Sequence, residues 1–236
     1  MNKPDNRGIG INQSVPIESL TEALSLLLRD GELSRDQILE ILTNTPRGGN
    51  RTSKMLEKSN KILRGNSKET DVIKKLYSQN SSHISTADLK VLSIALSSIA
   101  YPAFYHLLVA IAEQLRVQES INRAFMNQKM ADLYGGNRAT ALGVDAMIPM
   151  LIEAGFIARK KHGVYVMGSI SREISNNALE YWLRTDLLLS GNKTLMIDEI
   201  AHRPWNDYCP EIDRALKNPK ILKQDVIGGS KGYIKI

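Results

Sequence analysis

Residues 121–167 read INRAFMNQKMADLYGGNRATALGVDAMIPMLIEAGFIARKKHGVYVM, and this stretch decides the fold. Ile121, Phe125, Met130 and Leu133 recur at helical spacing, so a helix is expected over 121–134. It stops at Tyr134-Gly135-Gly136, where glycine permits the positive φ of a sharp turn. A second helix is expected from Asn137-Arg138 to Glu153-Ala154, with Leu142, Ala146, Met147, Met150 and Leu151 on one side and Gly155 at its end. Phe156-Ile157-Ala158-Arg159 and Val164-Tyr165-Val166-Met167 are β-prone runs joined by Lys160-Lys161-His162-Gly163. Pro149 lies inside the second helix; it lacks a backbone donor, and should kink the helix near Asp145-Ala146 or split it in two.

Helix, turn, helix and two-stranded wing is the winged-helix order, whose chemistry points to duplex DNA. Arg138 and Thr140 fall at the start of the second helix, where side chains reach base edges in a major groove. Asn137 can meet a phosphate or an adenine through the helix N-terminus and its own amide. Arg159, Lys160, Lys161 and His162 cluster on the wing, placed for flanking phosphates or the minor groove. The same residues also read as solvated charges on an ordinary hairpin, and winged domains serve in protein docking too.

Upstream, apolar residues recur at helical spacing over Ile17–Arg29, and Asp30-Gly31 closes that helix. Ser34 with Gln37 is the reciprocal capping pair of a second helix. A Pro/Gly loop over 43–50 leads to a third, from about Thr52 to Arg64. Residues 17–68 thus form a helical, helix-turn-helix-like unit with a basic third helix. At about 100° per residue, Arg51, Lys54, Lys58 and Lys61 share one arc beside Met55, Leu56, Ile62 and Leu63. With Arg47 in the preceding loop they make a second candidate DNA-binding surface, or a solvated helix face.

The remaining divisions are a flexible N-terminus (1–16), central apolar helices (69–120), the winged unit (121–170), and a C-terminal helix with a loop-and-hairpin extension (171–236). Two small cores are expected from this layout. Residues 91–112 carry no charged side chain and are long enough to span a bilayer. The serines at 93, 97 and 98 and the Tyr101-Pro102 junction fit two buried helices meeting at a corner better, so no membrane is expected. The class is mainly α, with a small β-hairpin in the wing.

Lysine and arginine number 31 against 25 aspartates and glutamates, a formal net charge of +6 that permits a polyanionic partner. The single cysteine, Cys209, excludes an internal disulfide and paired-thiolate zinc, and fits a reducing cytoplasm. GGSKG at 228–232 lacks the spacing of a phosphate-cradling P-loop. The four histidines share no metal-ligand spacing, and His106 in the uncharged run reads as a hydrogen-bonded core residue. Cys209 near His202 is the one pair suggesting a nucleophile and base, but no nearby group is placed to orient the histidine. No catalysis, cofactor or metal is therefore expected.

Three segments carry a resemblance: NRTSKMLEKSNKILRG (Asn50–Gly65), the apolar pair at 91–118, and MIPMLIEAGFI (Met147–Ile157). Their layout resembles that of the small BrxA-like DNA-binding accessory proteins of bacterial BREX phage-exclusion systems, although this chain is longer at its end. The resemblance implies double-stranded DNA binding without catalysis, beside other proteins of a defence complex. A sequence-specific winged-helix transcriptional regulator, a plasmid replication initiator and a protein-docking scaffold are the alternatives.

Overall fold

From Ile9 the chain is already inside the protein. The computed structural model describes residues 8–44, 48–78, 84–170, 173–227 and 230–236. Ile9, Ile11 and Val15 are buried, so the loose start expected over 1–16 does not hold from residue 9 onward. Three apolar side chains at irregular spacing leave no periodic signal, yet each fills a place in the core.

Helix α1 (Ile17–Asp30) ends at Gly31 in the left-handed region. Helix α2 (Arg35–Thr43) carries the full capping box between Ser34 and Gln37. Helix α3 (Gly49–Leu63) begins three residues before the expected Thr52, since Gly48-Gly49, read as loop, forms its first turn. Helix α4 (Ser67–Ser78) follows, then α5 (Thr86–Ala100), whose first turn is capped by the Ser85 hydroxyl. Helix α6 (Ala103–Leu115) meets α5 at an angle of 116° across Tyr101-Pro102, the expected corner. Among the described residues no single helix is long and apolar enough to cross a membrane.

Helix α5 explains the uncharged run. It packs against α1, α3, α6, α9 (Asn176–Ser190) and α8 (Arg138–Ala154), so every face is covered. Ser97 and Ser98 donate to the carbonyls of Ser93 and Ile94 one turn back, which satisfies both hydroxyls without an outside partner. Because α5 touches both halves, the buried apolar side chains form one contiguous cluster from Ile9 to Ile234, in place of the two cores expected.

Between α6 and α9 lie strand β1 (Ile121–Asn122), α7 (Arg123–Tyr134), α8, and strands β2 (Ile157–Lys161) and β3 (Val164–Met167). The three strands form an antiparallel sheet in the order β1-β3-β2. After α9 come β4 (Thr194–Met196), three short 3-10 helices between Ile197 and Leu216, β5 (Lys223–Ile227) and β6 (Ser230–Lys235). The expected terminal hairpin is β5 with β6, and β4 joins it in the order β4-β6-β5. Its turn glycines, 228–229, lie outside the described residues.

The C-terminal extension is bound to α9 by buried polar groups. Glu180 accepts the backbone N–H groups of Lys220, Ile221 and Leu222 at 2.7, 2.7 and 2.9 Å. Asp186 accepts from the Tyr105 hydroxyl at 2.7 Å and twice from Arg203 at 2.8 Å. Glu180, Arg184 and Asp186 of α9 are all buried. The extension covers what would otherwise be the helix's solvated side.

Candidate nucleic-acid interface

The segment α6–β1–α7–α8–β2–β3 packs as a unit. Helix α7 lies between α6 and α8, β2 packs on α8, and β1 closes the sheet against β3 in the register Ile121↔Tyr165. Each helix start is capped locally: Asn122 Oδ1 accepts from the Phe125 N–H at 2.8 Å, and Asn137 Oδ1 from the Thr140 N–H at 3.0 Å. Two glycines shape the exits. Gly155 ends α8 at φ 88°, and Gly163 turns the β2–β3 hairpin at φ 71°, backbone settings that strain other residues.

Two of the expected base readers have structural duties instead. Thr140 is only 3% exposed, and its hydroxyl donates to the Gly135 carbonyl at 2.7 Å. It closes the turn between α7 and α8 and is too deep to reach a groove. Asn137 is exposed, but its carbonyl oxygen is committed to the cap. Arg138 remains exposed, with no hydrogen bond or ion pair from its guanidinium among the described residues. Replacing Thr140 with valine should cost about 1–2 kcal/mol of stability through the lost hydroxyl bond. A urea titration measures this, and duplex affinity should not change.

Helix α8 runs unbroken through Pro149, so of the two outcomes expected, a kink or a division into two pieces, the division does not occur. Its outer strip carries Arg138, Leu142, Asp145, Pro149 and Glu153. Two of the charges there are committed: Asp145 pairs with Arg123, and Glu153 accepts the Ile17 N–H at 2.9 Å. The flank of α8 is crossed by the N-terminal segment. Gly143 makes room for it, since a Cβ at that position would stand 2.5 Å from the Ile9 side chain.

That crossing joins two surfaces which are far apart in sequence. Asn12, Gln13 and Ser14 line a cleft with Arg51 on one side and Leu142, Asp145 and Pro149 on the other. The adjoining cleft is lined by Gln13, Gly48, Gly49, Asn50, Arg51 and Lys54. The start of α3 and the outer strip of α8 are therefore neighbours. Arg51 and Lys54 are exposed and their side chains make no bond among the described residues.

The rest of the α3 basic arc departs from expectation. Lys58 is 8% exposed, salt-bridged to Glu57 at 3.0 Å and 5.9 Å from the Tyr101 ring centroid, so it is not available to DNA. The ring of Tyr101, brought in by the α5–α6 corner, covers that part of the helix. Lys61 is exposed, but its ammonium lies 4.3 Å from the same ring centroid, at the far end of α3 from Arg51. Arg47 lies outside the described residues.

Arg159, Lys160, Lys161 and His162 are all exposed, and none makes a side-chain hydrogen bond or ion pair among the described residues. Arg159 pairs with Tyr165 and Lys161 with Val164, so Lys160 is an extra residue that bends the strand. Arg123 was not legible as a site residue, being a single arginine in a helix start. In the fold its backbone N–H donates to Gly163 O at 3.0 Å while its guanidinium holds Asp145, tying the β2–β3 turn to α8.

Other chemistry is differently placed. Cys209 is fully buried, which pushes its thiol well above the ordinary range, while His202 is exposed. Among the described residues no group of three or more His, Cys, Asp or Glu side chains could hold a metal ion. His106 is half-buried, with Nδ1 at 2.7 Å from the Tyr134 hydroxyl, and burial holds its pKa below the ordinary 6.5. Comparisons with protein-family models, with curated proteins and with solved structures give no match, so the functional reading rests on this geometry.

Proposed function

We propose that the chain binds double-stranded DNA through a winged helix formed by α6 to β3. The observation that carries this reading is the wing itself: Arg159, Lys160, Lys161 and His162 stand in solvent with no intramolecular partner. Cations left unpaired beside a capped helix-turn-helix suit a row of phosphates. Arg138 at the start of α8 supplies one base-reaching side chain, and Arg51 and Lys54 extend the cationic surface along the adjoining cleft. The strand order β1-β3-β2 is the arrangement a wing requires.

The outer strip of α8 favours sequence-tolerant binding over an operator-specific regulator. Beyond Arg138 it offers an apolar Leu142, a paired Asp145, a proline and an engaged Glu153, and such a strip can read few base edges. The BREX-like layout supplies the biological context of this reading: a non-catalytic scaffold on duplex DNA beside other proteins of a defence complex.

The test is a fluorescence-anisotropy titration of random duplex at several salt concentrations. Six cations (Arg51, Lys54, Arg138, Arg159, Lys160 and Lys161) predict that log affinity falls against log salt with a slope of about −5. Affinity indifferent to salt, or no binding at low salt, overturns the proposal.

A further inference from the structure

The side chains at the start of α8 offer donors and no uncommitted acceptor. Asn137 accepts the Thr140 N–H on Oδ1 at 3.0 Å, so its amide is turned with the oxygen into the cap. Its NH2 group is left without a partner among the described residues. Thr140 is buried and spends its hydroxyl proton on the Gly135 carbonyl. Between them stands Arg138, exposed, with a guanidinium that makes no hydrogen bond or ion pair among the described residues. Ala139 and Ala141 are exposed and bring only methyl groups.

This helix start adjoins the cationic hairpin. Asp145 lies about two turns beyond Arg138 on the same face of α8, and it is held by Arg123. The Arg123 backbone N–H donates to Gly163 O in the β2–β3 turn. A duplex lying along the hairpin therefore passes the outer strip of α8 that begins at Arg138.

The two purines differ in what they ask of such a surface. Adenine shows an acceptor, N7, beside an amino donor, N6, and its two-bond partner must supply one donor and one acceptor. Asn137 could have been that partner, but the cap takes its oxygen. Cytosine shows only the N4 donor, which also needs an acceptor. Guanine shows two acceptors, N7 and O6, and the fork of an arginine meets both.

We propose that Arg138 reads guanine through N7 and O6 in the major groove, which gives an otherwise sequence-tolerant contact a preference for G·C pairs. This inference rests on the duplex-binding reading above and names the base that its one base-reaching side chain selects.

The test is a competition titration, by fluorescence anisotropy, with four duplexes of equal length. They are alternating dG·dC, the same duplex built with 7-deazaguanine, alternating inosine·dC, and alternating dA·dT. The 7-deaza base has a C–H in place of the N7 acceptor. Inosine keeps the major-groove edge of guanine and lacks its minor-groove amino group. The dG·dC and inosine·dC duplexes should bind alike and about tenfold more tightly than dA·dT, with the 7-deazaguanine duplex weakened as well. Arg138→Met should bring the four affinities together, leave the melting temperature unchanged, and reduce dA·dT binding by less than about threefold. Salt-dependent but equal binding of all four duplexes by the native chain overturns the inference and leaves the duplex-binding reading intact. A preference lost on substituting inosine, or one undiminished by Arg138→Met, does the same. No binding of any of the four at low salt overturns the duplex-binding reading, and this inference with it.

Discussion

Replacing Trp205 with alanine should lower the unfolding free energy by about 4 kcal/mol, within the range for truncating a fully buried aromatic side chain. The chain has two tryptophans, and both belong to one stacked pair: the Trp182 and Trp205 rings lie 3.9 Å apart with 12° between planes. Each indole N–H donates to the other residue's carbonyl, at 3.2 and 3.1 Å. Tyr105 packs on Trp205 at 4.9 Å and Phe156 on Trp182 at 5.1 Å. Truncation leaves a cavity at this junction of α6, α9 and the extension, and it removes the indole N–H that bonds the Trp182 carbonyl. At this chain length such a loss corresponds to a Tm lower by about 8–16 °C. Urea titration by circular dichroism measures it, and Trp205→Phe should recover most of the loss because the ring volume is largely kept. A loss under about 1 kcal/mol, the scale of an ordinary surface change, would show that the extension is not part of the core.

The second large effect concerns binding. Reversing three wing cations together (Arg159→Glu, Lys160→Glu and Lys161→Glu) should reduce affinity for random duplex by at least about a hundredfold at low salt and shrink the salt slope by about 3, near one unit per lost phosphate contact. The melting temperature should not move, because these side chains are exposed and make no side-chain hydrogen bond or ion pair among the described residues. Reversing Arg51 and Lys54 should remove about 2 more units of slope if both clefts face one duplex. An unchanged slope in the triple variant would refute the wing as the contact surface. An unchanged slope in the double variant would confine the contact to the winged unit and release the start of α3 from it.

Sequence reading succeeded where the deciding interactions span only a few residues. The Ser34–Gln37 capping box, the Gly155 terminator and the two hairpins each close within a few positions, so their residues stand next to each other in the sequence as in space. The exposed cationic hairpin was legible for the same reason. Only two residues separate the strands of each hairpin, and a run of cations at the β2–β3 turn has no apolar neighbour to hide it.

What the sequence by itself determined is thus the order of the helices, most of their ends, the bent apolar pair and the cationic β2–β3 hairpin. Only the tertiary structure decided which polar residues serve solvent and which serve the interior. Lys58 and Thr140 left the candidate site, Glu180 and Asp186 became anchors of the extension, and Arg51 became a neighbour of α8. Apart from Thr140, held by Gly135 five residues back, these outcomes depend on contacts between distant positions: Ile17 with Glu153, Tyr105 with Asp186, Ile9 beside Gly143. Local periodicity reports how a helix divides polar from apolar. It carries no information about which later segment will cover the polar side, because that choice is made by packing the whole chain around one core.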